Sequence, residues 1–126
     1  MSIEKCMIIE LPKISDTRGN LTFVEENKHI PFNIKKMFCL FGPNCLHDDI
    51  TKEAASHTLK KCEQFLIAMS GSFDVVLDDG LQKKKYHLNR SYYGLYIFPN
   101  VWREINNFSS GSVCMALASD YYDEVN

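Results

Sequence analysis

The strongest constraint on what this chain can become is the length of its apolar runs, which are all short and all closed by a turn signal. Cys6 to Leu11 (CMIIEL) ends at Pro12. The turn Asp16-Thr17-Arg18-Gly19-Asn20 precedes Leu21 to Glu25 (LTFVE), and Pro31 precedes Ile34 to Phe41 (IKKMFCLF). Further runs are Gln82 to Leu88 (QKKKYHL), Tyr92 to Phe98 (YYGLYIF) stopped by Pro99-Asn100, Val101 to Asn106 (VWREIN) and Ser112 to Ala118 (SVCMALA). With the central stretch described next, this makes eight or nine strand-like segments and almost no helical periodicity. Such a pattern predicts an all-β chain, a small sandwich or barrel.

The central stretch is His57 to Gly80, HTLKKCEQFLIAMSGSFDVVLDDG. Its runs Cys62 to Met69 and Phe73 to Leu77 are separated by Ser70-Gly71-Ser72, and Asp78-Asp79-Gly80 follows as a tight turn. This reads as two neighbouring antiparallel strands and a reversal. One long helix is excluded because Gly71 and Val75-Val76 would fall in its middle. The entrance to the stretch is polar, with His57, Lys60, Lys61, Glu63 and Gln64, so any pocket is expected to begin there.

At 126 residues the chain is expected to form one domain around one core. A formal net charge of -2 gives no general attraction for nucleic acid or an anionic membrane. Five cysteines without a CxxC pair leave one over in any full disulfide scheme, which fits free thiols in a reducing compartment. Neither a basic, apolar leader nor a membrane-length apolar run is seen, so a soluble cytoplasmic protein is expected. Cys6, Cys39, Cys62 and Cys114 lie in strand-like runs and read as small buried hydrophobes. Phe65, Phe73, Tyr96, Phe98 and Trp102 read as core, and Lys83 to Lys85 as a solvated or edge-protecting face. Residues 42–56 form a long connection leading into His57, read as a lid or a surface insertion, helix-compatible from Ile50 to Ala55. Tyr121 and Tyr122 follow the last strand and suit a tail packed on a partner subunit.

The blocks DTRGNLTFVEENKHIPFNIKKMFCLF, HTLKKCEQFLIAMSGSFDVVLDDG and GLYIFPNVWREINNFSSGSVCMALASDYYDE, in this order, resemble the sugar 3,4-ketoisomerases of the cupin superfamily. The likeness covers almost the entire chain. It implies a single cupin domain over 1–126, a jelly-roll β-barrel with little helix and a homodimer. It also implies a dTDP-4-keto-6-deoxyhexose substrate, a role in making unusual sugars for surface polysaccharide, and no metal or other cofactor.

Two histidines in the pattern RG-x-HAHK are the family's expected proton-transfer groups. His57 occupies the first place and Leu59 the second, with Ala54-Ala55 in place of Arg-Gly and Phe38-Cys39 in place of Tyr-Tyr. Residues at i and i+2 on a strand share a face, so one acid-base position has become hydrocarbon beside the surviving imidazole. A single imidazole able to reach both carbons supports a one-base mechanism, with His47 of the long connection as the alternative second group.

Lys60, Gln64, Trp102 and Arg103 continue the pattern as substrate-binding candidates. Trp102 and Glu104 are expected on one face of their strand and Arg103 on the other. Arg18 of DTRGN is the candidate for the diphosphate, the other reading being a surface pair with Asp16 or Glu25. Metal-binding cupins present several histidines and a glutamate. Here His57 and Glu63 remain, and no histidine follows Pro99, so the site is expected to be metal-free. The other functions open to the sequence are a 3,5-epimerase-like enzyme and a catalytically weakened nucleotide-sugar binding subunit.

Overall fold

The computed structural model describes residues 2–43, 56–57 and 61–121, with only the backbone described at Ser2, Ser56 and His57. Residues 44–55 of the 42–56 connection, His47 among them, lie outside the described residues, as do Leu59, Lys60 and Tyr122, so the expectations placed on them do too. After a 3-10 turn at Ser2–Lys5 come β1 (Met7–Glu10), β2 (Lys13–Asp16), β3 (Gly19–Thr22), β4 (Lys36–Phe41), β5 (Ser56–His57) and β6 (Gln64–Ser70). Then follow β7 (Phe73–Asp78), β8 (Lys83–Leu88), β9 (Tyr93–Ile97), β10 (Trp102–Asn106) and β11 (Val113–Ala118). The all-β expectation holds among the described residues, and the fold is cupin-like. The sequence reading missed β2 and ran β3 too far, to Glu25.

Two antiparallel sheets carry most of these strands. One has the order β1-β9-β6-β11-β4 and the other β5-β10-β7-β8, while β2 and β3 form a hairpin on their own. Leu66, Ala68, Leu95, Ile97, Cys114 and Ala116 from the first sheet meet Phe73, Val75, Leu77, Leu88 and Ile105 from the second in one core. Alternate side chains of the five-stranded sheet face the other way, so Phe65, Ile67, Tyr96 and Leu117 pack under Leu11, Ile30 and Phe32. Burial on both faces explains why β6 reads as an unbroken apolar run rather than an alternating one.

This arrangement corrects one expectation. β6 and β7 are not paired neighbours: β6 lies between β9 and β11, and β7 between β10 and β8. Ser70-Gly71-Ser72 is a corner that carries the chain from one sheet to the other. Gly71 has φ +66°, and a Cβ there would come within 2.4 Å of Ser109 Oγ and 2.9 Å of Ser112 Cα. Only glycine fits both the conformation and the space. The tight reversal at Asp78-Asp79-Gly80 is observed between β7 and β8, with Gly80 at φ +93°. Asp78 Oδ1 accepts from Gly80 N at 2.8 Å, and Asp79 Oδ1 from Leu81 N and Gln82 N. That turn also reaches the amino-terminal segment, since Asp79 Oδ2 accepts from Ile3 N at 3.3 Å.

Candidate active site

The turn Pro99-Asn100, with Asn100 at φ 66°, feeds Val101 into the core and starts β10. Strand alternation then separates the two candidates on β10. Trp102 faces outward, 40% exposed, and Arg103 faces inward, fully buried. The reading of Trp102 as a core aromatic is therefore wrong, whereas Phe65, Phe73 and Tyr96 are buried and Phe98 partly so. Arg103 Nη1 donates to Gln64 Oε1 at 2.7 Å and Nη2 to Val101 O at 3.1 Å. Among the described residues its Nε has no hydrogen-bond partner. Gln64 opens β6, so this contact ties one sheet to the other across the interior.

Burial pushes the Arg103 guanidinium down to about 10, because desolvation penalises its charged form. The ionisable groups that oppose this are the thiols of Cys6 and Cys62. Cys6 is itself shifted upward by burial, against the backbone N–H of Phe98 that donates to its sulfur at 3.3 Å. Of the described cysteines, Cys39 is half-buried, and Cys6, Cys62 and Cys114 are buried.

The start of β6 is held at several points. Glu63 N donates to Ser119 Oγ at 2.8 Å, and Ser119 N donates to Glu63 O at 2.9 Å. Tyr96 Oη donates to the Glu63 carboxylate on the outer face of the five-stranded sheet. Burial, followed by that carboxylate, raises the Tyr96 phenol well above its ordinary range. His57 enters through its backbone: β5 pairs with β10 so that His57 stands opposite Arg103 and Ser56 opposite Glu104. His57, Arg103 and Leu77 thus lie in one row across three strands.

Arg18 lies elsewhere, at the tip of the β2–β3 hairpin, with its side chain 88% exposed. Its Nη2 donates to Asp16 Oδ2 at 2.8 Å, the surface pair that the sequence left open as the alternative. A cleft of about 270 Å³ beside the hairpin is lined by Lys13, Asn20, Thr22, Arg90, Ser91 and Tyr92. The sequence reading also passed over a polar cluster on the outer face of the second sheet. Asp74, 4% exposed, accepts from Asn107 Nδ2 at 3.0 Å, lies 2.7 Å from His87 Nδ1 and pairs with Lys85 at 3.4 Å. Counting back from the Asp-Gly turn would have found it, since the register sets Asp74 opposite His87. Among the described residues, no three His, Cys, Asp or Glu are grouped as a metal site would need. Nor is any described helix long and apolar enough to cross a membrane.

Residues 4–126 match the family model described as FdtA: WxcM-like, C-terminal. The chain is 44% identical over 117 residues to the TDP-4-oxo-6-deoxy-alpha-D-glucose-3,4-oxoisomerase of Aneurinibacillus thermoaerophilus, covering 93% of this chain and 81% of that protein. Among solved structures it is similar to the WlaRB TDP-quinovose 3,4-ketoisomerase of Campylobacter jejuni. That match has 43% identity and a TM-score of 0.84, covering 96% of this chain and 89% of the other. It is also similar to the 3,4-ketoisomerase QdtA of Thermoanaerobacterium thermosaccharolyticum, a mutant of which was solved with TDP-4-keto-6-deoxyglucose. There the identity is 34% and the TM-score 0.83, over 96% and 84% of the two chains. With the all-β, two-sheet architecture and the motif order of the sequence, these likenesses establish that the chain belongs to the FdtA family of cupin-like sugar 3,4-ketoisomerases.

Proposed function

We propose that this chain, as one cupin domain closed into a jelly-roll barrel, converts a dTDP-4-keto-6-deoxyhexose to its 3-keto isomer without a metal or other cofactor. The observation that carries this is the guanidinium of Arg103, buried between the sheets of a chain with close ketoisomerase relatives and in backbone register with His57. The reaction takes a proton from C3, passes through an enediolate and returns a proton to C4, while the hydroxyl proton moves from the C3 oxygen to the C4 oxygen. His57 is the base that removes the C3 proton and the acid that returns it. Arg103 faces the oxygens on which negative charge grows, in a site where an oriented donor acts most strongly. Arg18 contacts the diphosphate, exchanging its pairing with Asp16 for phosphate oxygens. Lys60 is a further substrate-binding residue, whereas Trp102 lies on the face of β10 opposite Arg103.

The reading includes a homodimer in the cytoplasm, serving surface-polysaccharide synthesis. What supports the dimer is the hairpin β2–β3, which joins neither sheet and exposes Ile14 and Leu21 directly opposite each other. A two-stranded hairpin is marginal alone, and a second copy would cover this apolar pair.

Incubating the purified protein with TDP-4-keto-6-deoxyglucose in heavy water tests the activity. A new 3-keto product, with deuterium at C4 to the extent that the protonated His57 imidazole exchanges with solvent, supports the isomerase. Deuterium at C5 points instead to an epimerase. Binding with neither a 3-keto product nor exchange at any carbon identifies a binding subunit, the reading favoured by Leu59 at the second-histidine position. His57→Asn abolishes formation of the 3-keto product if the assignment is right, and a near-parent rate removes His57 from the mechanism.

A further inference from the structure

Arg103 is fully buried, and no described carboxylate lies within ion-pair distance of it. Buried charges are normally paired, because desolvation without compensation is unfavourable. Both oxygens that Arg103 does meet, Gln64 Oε1 and Val101 O, are neutral. The acid nearest in sequence to Gln64 is Glu63, and strand alternation turns its carboxylate to the opposite face of the sheet, onto Tyr96. Glutamate at position 64 would have the same reach as glutamine and would form a stronger, charge-assisted bond.

We propose that Gln64 is a positioning residue that holds Arg103 through a neutral oxygen, so that the guanidinium charge stays uncompensated until an oxyanion forms beside it. The arrangement fixes the direction of two N–H groups and leaves Nε–H without an acceptor among the described residues. The identity of the anion, the enediolate of a keto sugar, rests on the function proposed above. The charge arrangement rests on the structure alone.

The test compares the parent with Gln64→Glu and Gln64→Leu. The two readouts are the thermal midpoint without ligand at pH 7 and the rate at which TDP-4-keto-6-deoxyglucose is converted to its 3-keto isomer. Gln64→Glu is expected to raise the midpoint, by pairing a buried charge, while lowering kcat by about 10²-fold or more with a smaller change in KM. Gln64→Leu keeps the charge free but loses a hydrogen bond, so its midpoint falls and its kcat falls less than that of Gln64→Glu. A purely structural glutamine would lower midpoint and activity together in both variants. A lower midpoint for Gln64→Glu, or an unchanged kcat, overturns the proposal. If the parent forms no 3-keto product, the function fails and the midpoint decides separately: a rise upholds the charge arrangement and a fall overturns it.

Discussion

Replacing Arg103 by methionine is expected to remove activity without weakening the fold, and the magnitude can be worked from its surroundings. Burial lowers the guanidinium from its ordinary range to about 10, which corresponds to roughly 3 kcal/mol against the charged folded form at pH 7. Methionine fills similar space and relieves that penalty, but it leaves the buried Gln64 amide without its donor, a loss of about 1–3 kcal/mol. The net change lies between zero and about 2 kcal/mol of added stability, and thermal melts should show a midpoint between the parent's and about 10 °C higher. The double variant Gln64→Leu/Arg103→Met removes the orphaned amide and should melt above Arg103→Met. A folded-state pKa below the unfolded one means that the unfolded chain binds more protons above about pH 10, so parent stability gains there from this group. The advantage of the methionine variant should therefore shrink in alkali. A single variant melting well below the parent, with the double lower still, would falsify the picture of an uncompensated charge.

Gly94→Ala should destabilise the fold by about 1–3 kcal/mol, because the new Cβ would stand 2.5 Å from Phe65 Cζ and 2.6 Å from Leu66 O. Phe65→Leu in the same chain should restore only part of the lost melting temperature, since the carbonyl cannot retreat; full restoration would refute the clash. Asp74→Asn should cost about 1–2 kcal/mol at pH 7, a modest figure because Lys85 and His87 are at least half exposed. The hydrogen bond with His87, then that from Asn107, depresses the Asp74 carboxyl, so its contribution is present above the ordinary carboxylate range and lost as pH falls through the depressed value. Parent and variant melting curves should converge in acid, and a gap independent of pH would refute the linkage. Ile14→Glu/Leu21→Glu should shift the protein to monomer in sedimentation; an unchanged mass removes the hairpin from the dimer contact.

Strand positions were legible from the sequence because each run is short and closed by Pro, Gly or an Asp-Gly turn. Sheet membership was not. A Ser-Gly-Ser break serves equally as a hairpin or a corner, and only the pairing of β6 with β9 and β11, and of β7 with β10 and β8, decides between them. On β10, alternation correctly separated Trp102 from Arg103, but which of them enters the interior depends on how the two sheets face each other. A buried arginine beside a tryptophan at the surface runs against hydrophobicity, which is why Trp102 was read as core. The turn around Arg18 was visible, and so was its pairing with Asp16, whose carboxylate lies two residues away. His57 was found through its resemblance to a family motif. Its backbone position opposite Arg103 comes from pairing between segments far apart in sequence, which no local pattern contains.

The hydrocarbon side chain of Leu59 bears on the stereochemistry of the product. With one imidazole serving both carbons, the proton leaves C3 and arrives at C4 on the same face of a planar enediolate. In the chair of a gluco-configured 4-keto sugar, the C3 hydrogen is axial on the lower face. Delivery to the lower face of C4 turns the new hydroxyl axial, which is the galacto arrangement. A gluco product would need a proton from the upper face, and hence a second donor such as His47. The proton spectrum of the 3-keto product separates the cases, because an equatorial hydrogen at C4 couples weakly to the axial hydrogen at C5 and an axial one couples strongly. A small coupling is expected. A large coupling would exclude the one-base mechanism while leaving the ketoisomerase activity intact, and the loss of that large coupling in His47→Asn would identify the missing acid.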